Sequence, residues 1–365
     1  MRILYGVQGT GNGHITRARA LAPALAAQGA RVDYLFSGRA PGQFFDMQPF
    51  GDYQWRRGLT MVVEAGRTKA LKTLRQTRAL NFLREVRNLD LGSYDLVLTD
   101  FEPVTAWAAK CSGAPVLGLG HQYAFRYPIP QHHGGFHHRL IMKYFAPADR
   151  ALGFHWYHFD APILPPMAPV GPRAKQLQDR LIVVYLPFED VVHIDALLGR
   201  YPGYDFQVFH PRAYQSQYPH VRWHLPSRED FQEYLRRCEG VFCNAGFGLA
   251  SEVLQLGCKL LVKPVHGQSE QLSNVIALRQ IGLAHTLTGL DEQAFGHWLR
   301  EAEAKTVRYP DVATAVAKWI AAGCSGNIEH LARSLWRKTR FPETPLSSSG
   351  GTLSAQWFEH AFPRL

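Results

Sequence analysis

Short apolar runs punctuate the chain, and helix-like stretches separate them. Arg2 to Val7 is apolar and strand-like. A glycine loop follows, then an alanine-rich helical stretch from about Ile15 to Gln28. Pro23 lies inside that stretch and predicts a kink. Gly29 sits where a C-terminal helix cap belongs. Arg31 to Phe36 reads as the next strand. Asp95 to Thr99 (DLVLT) and Ala114 to Leu119 (APVLGL) read as later buried strands with an alanine-rich helix between them. Strand, helix, strand repetition implies a parallel sheet with helices on both faces.

The pattern breaks from Phe159 to Lys175. FDAPILPPMAPVGPRAK holds five prolines, Pro162, Pro165, Pro166, Pro169 and Pro172, and so cannot be a regular helix or a central strand. It reads as an interdomain linker. The alternation then restarts, with candidate strands at Leu181–Leu186, Asp205–His210, Val221–Leu225, Val241–Cys243 and Lys259–Val262. A Ser/Gly run at Ser347 to Gly351 precedes a short amphipathic stretch, Leu353 to Phe362. The expected fold is α/β: two doubly wound, Rossmann-like domains in tandem with a cleft between them. The expected divisions are 1–158, a linker at 159–175, a second domain at 176–340, and a tail with a short helix at 341–365.

Composition agrees with this picture and adds two points. The length of 365 residues suits roughly two domains, and 46% hydrophobic residues supply sizeable cores. The longest apolar runs are far shorter than the ~20 residues of a membrane-spanning helix. MRILYGVQGTG is too short and too glycine-rich for a signal peptide and reads as a strand entering a loop. The five cysteines form no CxxC, which argues against a disulfide framework or zinc ribbon and points to a reducing, cytoplasmic setting. The net charge of +10 suggests an anionic partner: nucleic acid, a membrane surface or a phosphorylated substrate.

Candidate chemistry begins at Gly9-Thr10-Gly11-Asn12-Gly13-His14, between the first strand and the first helix. Gly9, Gly11 and Gly13 let backbone amides approach a ligand, and a helix N-terminus favours negative charge. The spacing is GxGxG rather than GxGxxG, and the second strand ends Phe36-Ser37-Gly38-Arg39 with no acidic residue, which disfavours NAD. No GxxxxGK[ST] occurs. A tight turn needing small residues would look the same. His14 falls at the carboxyl edge of the sheet, where a neutral imidazole can act as general base; a capping or surface histidine is the plainer reading. Asp100 ends DLVLTD on the same edge and can hold the His14 tautomer, or can simply cap a helix. Glu102, in Asp100-Phe101-Glu102-Pro103, is a second candidate carboxylate of this loop.

The segment from Val241 to Leu278 is sharper. A strand ends at Asn244, and Gly246, Phe247 and Gly248 make a glycine turn into a helix, a place suited to a diphosphate. Glu252 follows on the first turns of that helix, where its carboxylate can accept paired hydrogen bonds from ribose hydroxyls, or can merely face solvent. A second strand ends at Pro264, and the next loop delivers Gln268, Glu270 and Gln271, side chains able to meet sugar hydroxyls or to form an ordinary polar loop.

This arrangement resembles the donor-binding region of GT-B glycosyltransferases, namely the UDP-dependent glycosyltransferases of small molecules and lipids and the bacterial N-acetylglucosaminyltransferase of lipid II synthesis. The shared pattern is a glycine turn, a helix with Glu, a strand ending in Pro and an acid/Gln-Gln pair followed by Asn, here Gly246, Glu252, Pro264, Glu270-Gln271 and Asn274. The resemblance implies that Glu252 binds ribose and that Glu270 with Gln271 binds the donor sugar. HLPSREDF resembles the family's WxPQ stretch, which places His224 near the base and Ser227 near the base or phosphates. Asn244 stands where the family has a histidine. GTGNGHITRA resembles the glycine-rich GH loop and LVLTDF the VVDxF strand end, which implies a base at His14 oriented by Asp100. The chain looks most like a bacterial and archaeal branch of this superfamily with the same N-terminal loop and a DFEP motif.

His132-His133 and His137-His138 lack acidic or thiol companions, and no HExxH or DxD occurs, so neither a metal nor a cofactor is expected. Between Arg56 and Arg87 nine basic residues stand against two acidic ones, +7 in one window. Lys69, Lys72, Arg75 and Arg78 recur there at three-residue spacing, which reads either as a solvated helix face or as a dock for an anionic membrane or phosphorylated acceptor. Nucleic acid ranks lower for want of a recognisable module. The function expected is an inverting, metal-independent sugar transfer from a nucleotide-diphosphate donor to an acceptor hydroxyl on a lipid or envelope glycan, in the cytoplasm or at the inner face of its membrane. A nucleotide-sugar hydrolase or a non-catalytic nucleotide-sugar binder shares most of these features.

Overall fold

The structure is a computed structural model that describes the chain except for residues 45, 60–62, 65–66, 69–78, 133–135, 169 and 343–365, with backbone alone at 63–64, 67–68 and 136–139. Lys69, Lys72, Arg75 and Arg78 of the basic window, His133, and the amphipathic 353–362 stretch lie outside the described residues.

The first unit runs β1 (Arg2–Gln8), α1 (Asn12–Ala26), β2 (Arg31–Ser37), β3 (Gln54–Trp55), a small hairpin of β4 (Val63–Glu64) and β5 (Arg67–Thr68), α2 (Ala79–Arg87), β6 (Leu96–Asp100), α3 (Pro103–Ser112), β7 (Val116–Gly120), a 3-10 turn at His121–Arg126, α4 (Phe136–Tyr144) and β8 (Arg150–Gly153). The second runs β9 (Leu181–Tyr185), α5 (Val191–Leu198), β10 (Asp205–Phe209), β11 (Val221–His224), α6 (Arg228–Arg237), β12 (Gly240–Asn244), α7 (Phe247–Leu256), β13 (Lys259–Lys263), α8 (Ser269–Gln280), β14 (His285–Thr286) and α9 (Glu292–Glu301). Two last helices follow, α10 (Val312–Ala321) and α11 (Ile328–Trp336).

The strand order is β3-β2-β1-β6-β7-β8 in one sheet and β11-β10-β9-β12-β13-β14 in the other. Every pairing within the two sheets is parallel. In each sheet the order of strands changes direction once, between β1 and β6 and between β9 and β12, and ligands in such sheets bind beyond the carboxyl ends at that point. The central strands are buried along nearly their whole length because helices cover both faces.

The proline-rich connection is packed. Ile163 through Ala168 are buried, and Leu164 bridges Phe154 beyond the end of β8. Arg173 donates to the carbonyls of Leu256 and Cys238 in the second unit. The chain then returns: α10 packs on α1, Arg150 donates to the Cys324 carbonyl, and the Trp336 indole donates to the Ile163 carbonyl at 2.6 Å. Pro23 sits inside α1 and is exposed, so its ring meets water rather than the core.

Candidate active site

Both glycine turns lie at the carboxyl edges where the order of strands changes direction. Gly11 is the N-cap of α1 and Gly246 the N-cap of α7; neither helix has a side-chain cap or an acidic residue in its first turn. The two helix starts meet. A Cβ on Gly248 would lie 3.3 Å from the Gly13 Cα, and one on Gly13 would lie 3.9 Å from the Gly248 nitrogen. Two uncapped N-termini thus leave donors and positive potential converging on one place. Gly9 has a different reason to be glycine, since a Cβ there would meet the Phe44 ring at 2.6 Å.

His14 stands on the first turn of α1 with its side chain 13% exposed, and Asp100 at the end of β6 is fully buried. His14 Nδ1 is 2.7 Å from Asp100 Oδ1. A carboxylate only accepts, so Nδ1 carries the hydrogen and Nε2 is the ring nitrogen not engaged by Asp100. Asp100 has a second partner that sequence reasoning passed over. Arg17 grips it with two arms, Nε to Oδ2 at 2.6 Å and Nη2 to Oδ1 at 2.5 Å. Burial alone would raise the Asp100 pKa; the charge of Arg17, together with the hydrogen bond from His14, outweighs it and holds the carboxyl below its ordinary range.

Glu102 is fully buried and fully engaged. It is the N-cap of α3, accepting from the Val104 and Thr105 amides at 2.9 and 2.7 Å, and its oxygens also receive the Thr105 and Ser37 hydroxyls. Burial pushes its pKa up. Its carboxylate supports the loop from below and faces no open space.

In the second unit, Asn244 ends β12 with its Nδ2 near Glu189 Oε1 (3.3 Å) and the Lys263 carbonyl, while its Oδ1 is buried without a hydrogen-bond partner. Beside it lies a nearly buried ion pair, Lys263 Nζ to Glu189 Oε1 at 2.7 Å. Glu252 is 7% exposed and accepts from Gln232 Nε2 at 2.8 Å; burial pushes its pKa up to about 7. His224 donates from Nε2 to Gln207 Oε1 at 2.7 Å and stacks on Phe209, and burial lowers its pKa. Ser227 caps α6 through the Asp230 amide.

Phe247 does not line the glycine turn. It stacks on the His121 ring, centroids 4.0 Å apart and 7° from parallel, within a cluster that includes His155 and Trp156. His121 in turn donates from Nδ1 to the Phe154 carbonyl and lies 2.6 Å from Asn274 Oδ1, joining the two units. Gln268 is the N-cap position of α8 and makes no side-chain cap. Gln271 is buried and accepts from the Val265 amide at 2.8 Å, fixing its own loop. Glu270 accepts from Gln122 Nε2 at 3.0 Å, another bridge between units. Gln122 Oε1 has no partner; a Cβ on Gly120 would stand 3.1 Å from it and 3.5 Å from Asp100 Oδ1.

The structure therefore gathers Gly11, Gly13, His14, Asp100, Gly246, Gly248 and Asn244 at the facing edges, with Glu270 beside them through Gln122. It places Glu102, Phe247, Ser227 and Gln271 in supporting roles. Arg17, His121, Gln122, Glu189 and Lys263 were not singled out. Arg17 had a legible signal, being three residues after His14 and so on the same helix face. His121 and Gln122 follow the end of a buried strand, a signal as good as the one at Asp100.

Two parallel six-stranded units with their carboxyl edges facing define the GT-B glycosyltransferase fold. The family model described as glycosyl transferase family 1 matches residues 1–302. The chain belongs to that family and is a glycosyltransferase of GT-B type. Its fold is similar to the glycosyltransferase SnogD from Streptomyces nogalater, at 16% identity and a TM-score of 0.52 over 92% of this chain and 99% of that one. It is also similar to the glycotransferase of kitacinnamycin (14%, TM-score 0.56, 92% and 98%) and to Acinetobacter baumannii MurG (15%, TM-score 0.51, 92% and 99%). No curated protein matches the chain in sequence.

Proposed function

We propose that the protein moves a sugar, with inversion, from a nucleotide-diphosphate donor of the UDP-sugar type to an acceptor hydroxyl. His14 Nε2 takes the hydroxyl proton while that oxygen bonds to the anomeric carbon. The bond from carbon to the donor's phosphate oxygen breaks, and its electron pair leaves with the nucleoside diphosphate. Asp100 holds the imidazole and offsets the charge it gains. The facing N-termini of α1 and α7 stabilise the leaving diphosphate, so this reading calls on no metal. Glu252 and Glu270 are assigned to the ribose and the donor sugar, with His224 toward the base. The observation that carries the reading is the meeting of Gly13 and Gly248 next to His14, whose Nδ1 is held by a buried carboxylate.

The acceptor is assigned to the first unit and to lipid-linked or phosphorylated chemistry. Supporting this, Leu80 and Leu83 on α2 are 72% and 50% exposed beside Arg84 and Arg87, an apolar and basic surface suited to peripheral contact with an anionic cytoplasmic membrane. Among the described residues no helix is long and apolar enough to cross a membrane.

A thermal-shift screen against nucleoside diphosphates and their sugars tests the donor site, because a ligand of the native state raises the melting temperature. UDP and UDP-sugars should raise it; no response to any nucleotide refutes the assignment. His14→Ala should keep that shift and lose sugar transfer by about 100-fold or more. Full transfer by this variant removes the base.

A further inference from the structure

Arg17 is the least expected member of the site. Its side chain is 5% exposed, and the guanidinium lies over the Phe154 ring at 5.7 Å. Its fork occupies both Asp100 oxygens, and Oδ1 is the same atom that receives His14 Nδ1–H. Arg17 Nη2 stands 3.2 Å from His14 Nδ1. Both atoms bear hydrogen, so this approach is a charge contact and not a hydrogen bond. Other elements also face the pair: the Tyr5 hydroxyl of β1 at 3.4 Å from Oδ2, Tyr123 after β7, whose hydroxyl couples with the Asp100 charge, Glu270 of α8, whose charge couples with Arg17, and His121 after β7, whose protonation the Arg17 charge disfavours.

The charge count shows what the arginine changes. A histidine–aspartate pair alone carries −1 at rest and 0 after taking a proton. With Arg17 the same group carries 0 at rest and +1 afterwards. We propose that Arg17 is a positioning residue that fixes the Asp100 carboxylate toward His14 and lowers the pair's appetite for a proton. The imidazole is thereby kept neutral for the next acceptor and returns its proton to water after each transfer. A guanidinium suits this role because its planar fork locks the carboxylate's rotation, which an ammonium cannot do. The same charge also keeps Asp100 ionised in a site where burial works against it. This inference rests on the reading of His14 as base, but its test does not.

The test follows the imidazole nitrogens of the ¹⁵N-histidine-labelled full chain by NMR from pH 5 to 9.5, with His14→Asn identifying the signal. In Arg17→Met the His14–Asp100 pair should take up its proton about one pH unit or more higher than in the unaltered chain, the repulsion being gone. Arg17→Lys keeps the charge and loses one arm. Its midpoint should stay within about half a unit, while the Nδ1 signal moves. Should Arg17→Met fail to fold, Arg17→Gln, which retains a donor for the buried carboxylate, carries the same expectation. A folded neutral variant whose titration superimposes on that of the unaltered chain overturns the proposal and leaves Arg17 a structural ion pair. Retained sugar transfer by His14→Asn would instead overturn the base, and the titration result does not depend on it.

Discussion

Replacing Glu252 by glutamine should make the protein more stable at alkaline pH while weakening its hold on a nucleotide. Glu252 lies on α7, 7% exposed, with one hydrogen bond from Gln232. Burial raises its pKa from the ordinary 4.5 to about 7, with Gln232 and the Arg228 charge opposing the rise. A carboxyl with a raised folded-state pKa binds its proton more tightly when folded. That contribution is complete below the unfolded value of 4.5 and is lost as the pH rises to and through about 7. Above that, the folded protein holds a buried charge that it would release by unfolding. The shift from 4.5 to about 7 corresponds to about 3 kcal/mol, of which most remains in effect at pH 5. A glutamine side chain has the same shape as the glutamate it replaces, can still accept from Gln232 and never ionises. In thermal melts, E252Q should therefore exceed the unaltered chain by several degrees at pH 8.5 and by about one degree or less at pH 5. In the pH 8.5 samples UDP should protect E252Q less than the unaltered chain, because a neutral amide accepts ribose hydroxyls more weakly than a carboxylate. Equal melting temperatures at pH 8.5 refute the burial argument. Equal protection by UDP refutes the ribose assignment.

Other substitutions separate support from binding. Glu102→Ala strands the Val104 and Thr105 amides and the Ser37 hydroxyl, and should lower stability by about 2–4 kcal/mol in urea melts. A loss below about 0.5 kcal/mol would show that the α3 cap contributes nothing. Gly246 has φ −77° and open space where its side chain would be, so Gly246→Ala should leave the melting temperature unchanged and weaken UDP binding in calorimetry. Gly248→Ala presses on the Gly13 backbone at 3.3 Å and should lower both. Identical behaviour of the two variants would contradict the proposed close approach.

The fold was legible where strands are long and central. Arg2–Gln8, Leu96–Asp100, Leu181–Tyr185 and Gly240–Asn244 are buried on both faces, so their apolar runs stand out in sequence. In the two six-stranded sheets the strands passed over, Gln54–Trp55, Arg150–Gly153 and His285–Thr286, are two to four residues long and all lie at sheet edges. Such strands are held by one neighbour and are too short to show an alternating pattern. The packing of α10 on α1 was likewise hidden. VATAVAKWIA is apolar enough to need a partner, but nothing in it says that the partner lies about 300 residues earlier in the other unit.

The site shows the same division at the scale of single residues. Its glycines were readable because a tight turn into a helix is a local demand of the backbone. Of its carboxylates, Asp100 was readable as the partner of His14, but its grip by Arg17 and the engagement of Glu102 with Ser37 depend on side chains remote in sequence. Asp100 and Glu102 are two residues apart at one strand end. Between them Phe101 adopts φ +51°, a left-handed conformation that a bulky residue takes only under constraint. That reversal turns Glu102 down onto the start of α3, where two amides and two hydroxyls await it. Asp100 is left at the sheet edge, where it meets His14 and Arg17, 86 and 83 residues away in sequence. Once a buried carboxylate faces a cleft it must find a cation, and the one available on the helix that already bears His14 is the arginine one turn further along. The proposed base and the charge proposed to restrain it thus lie on one face of one helix, and a substitution at position 17 leaves position 14 in the chain unchanged.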